Sequence, residues 1–276
     1  MHNLKHYDGN AFDLYKKAVK RKDDGDSKTR LVAAEADVKA YYEEYDRHFI
    51  SNTLRAISPR RVNGALYKDL YDMYGFETAI VREVRRGLKK VNPVTVVGIC
   101  QHCGIVPYDT MDHVLPHKQY AEYSVHAQNL IPCCTDCNRR KNEREILNLY
   151  KDILPQEEYL FMDVKADGDT IDVSFRLDNS SRKVETEMFN KITNHYTKLE
   201  ILSRLKTVAL TKITAFVLSI QTLYESQGKD AVVSSVMDGL DVMRKAYGYN
   251  YWEVAFQKGL VNSPVFWDYY EKGLLV

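Results

Sequence analysis

Five cysteines are the residues of this chain whose type and spacing most directly indicate chemistry. Four of them form two Cys-x-x-Cys pairs, Cys100 with Cys103 and Cys134 with Cys137, and thirty residues separate the pairs. Two such pairs fold together as knuckles on one tetrahedral Zn²⁺ ion, and four thiolates complete its coordination shell. A complete shell has no open position for water or substrate. The spacing therefore predicts a structural zinc that stabilises a small module.

The fifth cysteine leaves an alternative for this zinc site, because Cys133 adjoins Cys134. Only Cys134 reproduces the two-residue gap to Cys137, so Cys134 is the predicted ligand. We expect Cys133 to be a buried small apolar residue.

Three histidines near the cysteines are also open to more than one interpretation. His102 lies inside the first pair and could replace a cysteine as ligand, but with four cysteines present we expect it to face solvent. His117 and His126 lie between the pairs, where we also expect exposure. His117 is a minor candidate for phosphate contact.

Several residues between the pairs suit hydrolysis of a phosphodiester bond. This reaction needs a base for the attacking water and a cation that neutralises the scissile phosphate. His113 can supply the base, because an imidazole has a pKa near neutrality, and the neighbouring Asp112 offers a carboxylate of the kind that Mg²⁺ or Mn²⁺ prefers. Taken alone, however, an Asp-His pair is commonplace, Asn129 is typical of a turn, and Asn138 is typical of a helix N-terminal cap.

The order of these residues resembles the zinc-bearing HNH endonucleases, which have the ββα-metal fold. The resemblance covers Ile99 to Glu143. It rests on the succession Cys-x-x-Cys, Asp-His-x-x-Pro, Asn-Leu-x-Pro and Cys-x-x-Cys-Asn-x-x-Lys. It implies a metal-dependent endonuclease with a four-cysteine structural zinc.

The resemblance also implies a role for each polar residue between and just after the cysteine pairs. His113 would act as general base, and Asp112 with Asn138 would hold one catalytic Mg²⁺ (or Mn²⁺). Asn138 stands where many members carry the final histidine, which makes this chain a His-Asn-Asn variant and favours Mg²⁺ over softer metals. Asn129 would hold the loop between the strands and orient His113.

Free-standing HNH proteins with the Asp-His-x-x-Pro and Glu122-Tyr123-Ser124 spacing are similar to effectors of bacterial anti-phage defence that work with an ATPase. The resemblance therefore implies this role and such a protein partner. The rival hypothesis is a zinc-stabilised, non-catalytic module that binds nucleic acid or protein. A pure binder has no need of Asp112, His113 and Asn138 in this order, which favours the nuclease.

A nuclease must also hold the phosphate backbone, and two basic clusters lie close to the module in sequence. The net charge of +1 does not decide the matter, because phosphate binding depends on a local patch. We expect nucleic-acid contacts, with DNA favoured over RNA, or else solvated helix faces. The residues are Arg139, Arg140 and Lys141 after the last cysteine, and Arg82, Arg85, Arg86, Lys89 and Lys90 before the module.

The pattern of apolar residues predicts a mainly α fold around this small module. Apolar residues recur at helical spacing between Ala11 and Lys90, which predicts two or three helices in an N-terminal region, residues 1–92. Pro93 ends that region, and a β-branched run at 94–97 opens the nuclease module, residues 93–152. We expect its last helix to run from near Cys137 to Asp152. A mainly helical region, residues 153–276, follows and begins with a β-hairpin near 161–177.

The flanking helical regions carry no recognisable chemistry, and three roles stay open for them: positioning substrate, forming a homo-oligomer or docking a protein partner. No apolar run approaches the roughly 20 residues that cross a bilayer, and the first residues are polar, unlike a secretory signal. We therefore expect a folded protein of the cytoplasm without a membrane partner.

Overall fold

The computed structural model describes residues 1–60, 62, 64–93, 96 and 98–275. Except for Val96, the β-branched run that marks the predicted start of the module lies outside the described residues. Mainly helical structure flanks a small central ββα unit, which confirms the predicted fold class. The boundaries drawn at residues 92 and 152 stay predictions.

The N-terminal region has more helices than the two or three predicted. Short turns interrupt the apolar periodicity and divide it into more helices. Asn10 caps the first helix, because its Oδ1 accepts from the Phe12 and Asp13 amides. Thr78 caps the last of these helices in the same way. The helices are α1 (Ala11–Lys20), α2 (Asp26–Ala33), α3 (Glu35–Ile50), α4 (Gly64–Tyr71) and α5 (Ala79–Val91).

The central unit is an antiparallel pair of short strands followed by one short helix. Strand β1 (Thr110–His113) pairs with β2 (Leu130–Cys133), so that His113 lies opposite Leu130. Helix α6 (Thr135–Lys141) follows directly. The prediction that this helix continues to Asp152 is wrong, because Asn142 leaves helical geometry with a φ of 49°.

The C-terminal region begins with the predicted hairpin, which is confirmed. Strands β3 (Leu160–Asp167) and β4 (Thr170–Leu177) pair in register around a two-residue turn, and Gly168 adopts the left-handed conformation that this turn requires. The following helices are α7 (Thr186–Lys198), α8 (Ile201–Leu210), α9 (Ile213–Tyr247), α10 (Trp252–Val261) and α11 (Pro264–Glu271). Helix α9 bends at Gly228, whose φ of 81° is non-helical.

The ββα unit lies between two apolar cores. Apolar residues of its strands, such as Met111 and Leu130, pack with the N-terminal helices. Its cysteines pack instead with the hairpin and the C-terminal helices. Both flanking regions therefore support the unit, one on each side. None of the helices in the described part of the chain combines the length and the apolar character that a bilayer crossing requires.

Candidate zinc centre and candidate active site

The four predicted cysteine ligands converge in the structure. Their sulfur atoms lie within 4.8 Å of one another, and all four side chains are buried. Zn–S bonds of about 2.3 Å in a tetrahedron place sulfurs about 3.8 Å apart, so the cluster matches a zinc site. Cys134 caps α6, and Cys137 lies in its first turn. Among the described residues, no other group of three or more His, Cys, Asp or Glu side chains converges in this way.

The cluster contains Cys134 and leaves out Cys133, which is consistent with the choice of Cys134 as ligand. Cys133 is fully buried and belongs to β2, where it pairs with Thr110. It is a small apolar residue of the core, as predicted.

An arginine from the C-terminal region contacts the cysteine cluster, and no local sequence pattern predicts this contact. The Arg204 guanidinium lies 3.2 Å from the Cys137 sulfur, 3.6 Å from that of Cys103 and 3.7 Å from that of Cys134. Four thiolates on one Zn²⁺ leave a net charge of −2, so a buried cation at this distance compensates part of that charge.

The expectation that His102 faces solvent is wrong. Its side chain is fully buried, and its Nε2 lies 2.8 Å from Asp112 Oδ2. The His195 ring, from α7, donates to the His102 carbonyl oxygen at 2.8 Å. Packing of α7 against the first cysteine knuckle therefore removes His102 from water and turns it toward the candidate active site.

Lys141 is also placed differently from its predicted phosphate-contacting role. Its side chain is only 4% exposed, and its Nζ lies 2.7 Å from Asp112 Oδ1. The same ammonium group donates to the His113 carbonyl oxygen. Burial alone would raise the pKa of Asp112, but Lys141 and His102 lower it to about 2. Lys141 is thus a counter-ion inside the unit and not a surface cation.

His113 is held by one hydrogen bond that fixes its tautomer. Its Nε2 lies 3.0 Å from the Ser124 carbonyl oxygen, which can only accept, so Nε2 carries the proton and Nδ1 keeps its lone pair. Burial lowers the pKa of His113 to about 3, and the nearby His117 adds to this effect. The ring is therefore neutral at physiological pH.

His117 is half-buried, and His126 is fully buried, so the expected exposure of His126 is wrong. The His126 ring packs against the rings of Tyr42 and Tyr45, at centroid distances of 4.5 and 4.1 Å. His117 stacks on His113 at 4.4 Å. The N-terminal helices cover this segment, which a sequence without tertiary context does not show.

Asn129 ties the segment after β1 to the start of β2. Its Oδ1 accepts from the Leu115 amide at 2.7 Å, and its Nδ2 donates to the carbonyl oxygens of Leu115 and Tyr123, each at 3.3 Å. Its backbone oxygen accepts from Val114 at 2.8 Å. These bonds hold the backbone that follows His113.

An open cleft of about 730 Å³ brings several predicted site residues together. Asp112, His113 and Asn138 line it, and Asn138 is half-buried. Two exposed cations, Lys118 and Arg139, lie at the same cleft. Lys118 was not predicted. The cleft is also lined by Tyr71 and Tyr74, which come from the N-terminal helical region.

The other predicted basic residues do not line this cleft. Arg140 pairs with Asp136 and Glu200. Arg85 stacks on Phe76 at 3.9 Å. Arg85 belongs to the basic cluster of α5, and the exposed residues of that cluster are Arg82, Arg86, Lys89 and Lys90.

A family model described as HNH endonuclease matches residues 100–144. The chain therefore contains an HNH endonuclease domain, and the four-cysteine cluster is consistent with its zinc-bearing type. This domain supports nuclease activity with metal binding. Comparison with curated proteins found no match, and comparison with solved structures found none either.

Proposed function

We propose that this protein is a metal-dependent endonuclease that hydrolyses phosphodiester bonds, with DNA the favoured substrate. The observation that carries the proposal is which ring nitrogen of His113 carries the proton. Its Nε2–H is committed to the Ser124 carbonyl oxygen, which leaves the Nδ1 lone pair as the only free proton acceptor of the ring. The cleft that His113 lines also contains a carboxylate, an amide and two exposed cations.

The donor set of the cleft fits a hard divalent cation. Asp112 and Asn138 supply one carboxylate and one amide oxygen, which are ligands that Mg²⁺ prefers, and such a site leaves room for several waters. Each Asp112 oxygen already accepts one hydrogen bond, from Lys141 or His102, and each keeps a further acceptor position. When bound, Mg²⁺ supplies charge to neutralise the scissile phosphate and the leaving oxygen.

His113 performs the proton transfer in this proposal. A water oxygen attacks phosphorus, the bond to the leaving sugar oxygen breaks, and the water proton passes to His113 Nδ1. The leaving oxygen takes a proton from solvent.

Three other residues support the substrate and the base. Lys118 and Arg139 are exposed at the cleft and suit contacts to phosphate oxygens, which set position without reading sequence. Asn129 holds the backbone on which His113 lies. The exposed cations of α5, Arg82, Arg86, Lys89 and Lys90, are proposed to bind a more distant part of the same nucleic acid.

Nicking of supercoiled plasmid tests the proposal. Wild type and His113→Ala are compared with Mg²⁺, with Mn²⁺ and with chelator, and His48→Ala, a half-buried histidine of α3 that does not line the cleft, is the matched control. We expect wild type and His48→Ala to nick only with added metal. We expect His113→Ala to lose roughly 10²- to 10⁴-fold in rate, the usual contribution of a general base.

Two further measurements separate the nuclease from the non-catalytic binding module. Zinc content and unfolding of each variant are measured. Loss of zinc in His113→Ala would show a structural role for His113 and would contradict its assignment as the general base. Affinity for DNA and RNA oligonucleotides is measured in parallel. Metal-independent binding by wild type, with no cleavage of either substrate, would establish the binding module instead.

We further propose that the enzyme is the nuclease effector of a bacterial anti-phage defence system and works with an ATPase. The support is the resemblance of the Glu122-Tyr123-Ser124 and Asp-His-x-x-Pro spacing to such effectors. Phage plating on bacteria that carry the native locus, with wild type or His113→Ala, tests this role. Equal plating on both strains would contradict it.

A further inference from the structure

We propose that His117 is a positioning residue for His113: its ring, stacked between Tyr71 and His113, holds the ring plane of the general base in one orientation. This inference rests on the proposed nuclease function. The His117 ring is nearly parallel to that of His113, with an interplanar angle of 6° and a centroid distance of 4.4 Å. On its other face it is nearly parallel to Tyr71, at 3° and 4.0 Å.

Hydrogen bonds fix the middle ring of this stack. His117 Nε2 lies 3.1 Å from the Tyr71 carbonyl oxygen, which can only accept, so Nε2 carries the proton. The same nitrogen lies 3.2 Å from Ser124 Oγ, whose own proton points to the carbonyl oxygens of Leu70 and Ala121. The His117 ring is therefore immobilised by backbone of α4 and by Ser124.

Ser124 connects the two histidines. Its carbonyl oxygen accepts from His113 Nε2 at 3.0 Å, and its hydroxyl faces His117 Nε2. The edge of the Tyr74 ring closes the remaining side of His113, at a centroid distance of 4.6 Å and an angle of 73°. Among the described residues, the His113 ring thus has one hydrogen bond, one stacking partner and one edge contact.

The stacking partner is needed because one hydrogen bond does not fix an imidazole ring. The terminal torsion of histidine is broad, so the ring plane can tilt about the bond to Cβ while the bond from Nε2 to Ser124 persists. A neighbouring ring at 4.4 Å restricts that rotation. Misplacement of a catalytic group by about 1 Å costs up to about 100-fold in rate. Loss of the stack therefore lowers turnover without removing any group that touches substrate.

Two substitutions at His117 separate stacking from simple filling of space. His117→Leu keeps an apolar side chain but removes the ring, and we expect kcat to fall about 100-fold with KM and zinc content unchanged. His117→Phe keeps the ring and loses one hydrogen bond, worth about 1 kcal/mol, so we expect kcat within about fivefold of wild type. Gln119→Leu, an exposed neighbour in the same segment, controls for disturbance of the turn.

The ring nitrogens of His113 provide a readout that does not depend on cleavage. In protein labelled with ¹⁵N histidine, we expect a single Nε2–H tautomer for His113 at neutral pH, assigned by the signal missing in His113→Asn. His117→Phe should keep this signature. His117→Leu should show averaged or doubled ring signals, because the orientation of the ring plane is no longer restricted.

The outcomes distinguish the inference from the function on which it rests. Wild-type kcat in His117→Leu, or an unchanged His113 ring signature in that variant, would overturn the positioning role. A raised KM with unchanged kcat would assign His117 to substrate binding instead. If wild type cleaves no nucleic acid, the proposed function fails, and the ring signals alone decide whether His117 fixes His113.

Discussion

Lys141 Nζ lies 2.7 Å from Asp112 Oδ1, and both side chains are only 4% exposed. The two residues come from β1 and α6, the elements on either side of the candidate active site. Taking two charges out of water costs several kcal/mol for each ion, which the pair recovers through mutual attraction and additional hydrogen bonds. Asp112 accepts such a bond from His102, and Lys141 donates one to the His113 carbonyl oxygen. The pair is therefore tightly coupled to the position of the base.

Removal of one partner of this ion pair should destabilise the protein strongly. Lys141→Met leaves the Asp112 carboxylate buried without its counter-ion, and we expect the free energy of unfolding to fall by about 3–5 kcal/mol. The measurement is urea unfolding of the zinc-loaded protein. The double variant Asp112→Asn with Lys141→Met should recover much of this loss, because neither charge remains. Equal stability of Lys141→Met and wild type would mean that the pair is hydrated in solution.

Substitution of Cys134 should remove zinc from the protein, whereas substitution of the adjacent Cys133 should not. Cys134→Ala removes a member of the converging cluster, so we expect it to lose zinc and to unfold more readily. Cys133→Ala removes a buried sulfur outside the cluster, so we expect one zinc per chain as in wild type. Metal analysis of the purified proteins gives both answers. Full zinc in Cys134→Ala would show that another residue, such as Cys133, completes the shell.

Arg204 should slow the release of zinc. Its guanidinium contacts three of the four sulfurs, and Arg204→Met leaves the charge of the zinc–thiolate cluster uncompensated. We expect faster zinc transfer to a chromogenic chelator, by roughly 10-fold for the loss of one charge-assisted contact. Arg140→Met is the matched control, because Arg140 shares the Asp136 partner and has no recorded contact with sulfur. Equal release rates in the two variants would contradict the role of Arg204.

Glu122 should make the protein less stable as pH rises. Burial raises the pKa of this carboxyl from 4.5 to about 7, although Arg60 opposes the effect. The folded state therefore binds the proton more tightly than the unfolded state. The stability that the protonated Glu122 carboxyl contributes is lost as the pH rises from about 4.5 to about 7. This loss amounts to at most roughly 3 kcal/mol.

The variant Glu122→Gln tests this dependence. It cannot ionise, so we expect it to be more stable than wild type at about pH 8 and similar to it at about pH 4. Urea unfolding across this range is the measurement. Glu157→Gln, an exposed glutamate, should leave the pH profile unchanged. A profile that is the same for wild type and Glu122→Gln would show that Glu122 is solvated in the folded protein.

Local spacing was sufficient to predict the zinc ligands and the hairpin. The two Cys-x-x-Cys pairs converge as predicted, and β3 and β4 turn at Gly168. The hairpin depends on geometry within a few residues, and the cysteine cluster depends on two short motifs that can share one metal. The early end of α6 was missed, because it depends on the non-helical backbone of Asn142.

The surroundings of the candidate active site could not be predicted in this way. His102 is buried because α7 packs on the knuckle, and Tyr71 reaches His117 because α4 packs against the 3-10 turn at Ala121–Tyr123. Arg204 reaches the cysteines from α8. Each of these contacts joins residues far apart in sequence and carries no local pattern. Periodicity shows that such helices exist and does not show which of their polar residues face the site.

The contact between Arg204 and Cys137 spans 67 positions of the chain. During synthesis, at about 5–20 residues per second, the fourth cysteine is made roughly 3–13 s before its cationic partner. For that interval the thiolates of the nascent chain have neither Arg204 nor the cover of the C-terminal helices. Any metal bound in that interval is held by the thiolates without their cationic partner, which arrives only when α8 is made and packs against the cysteines.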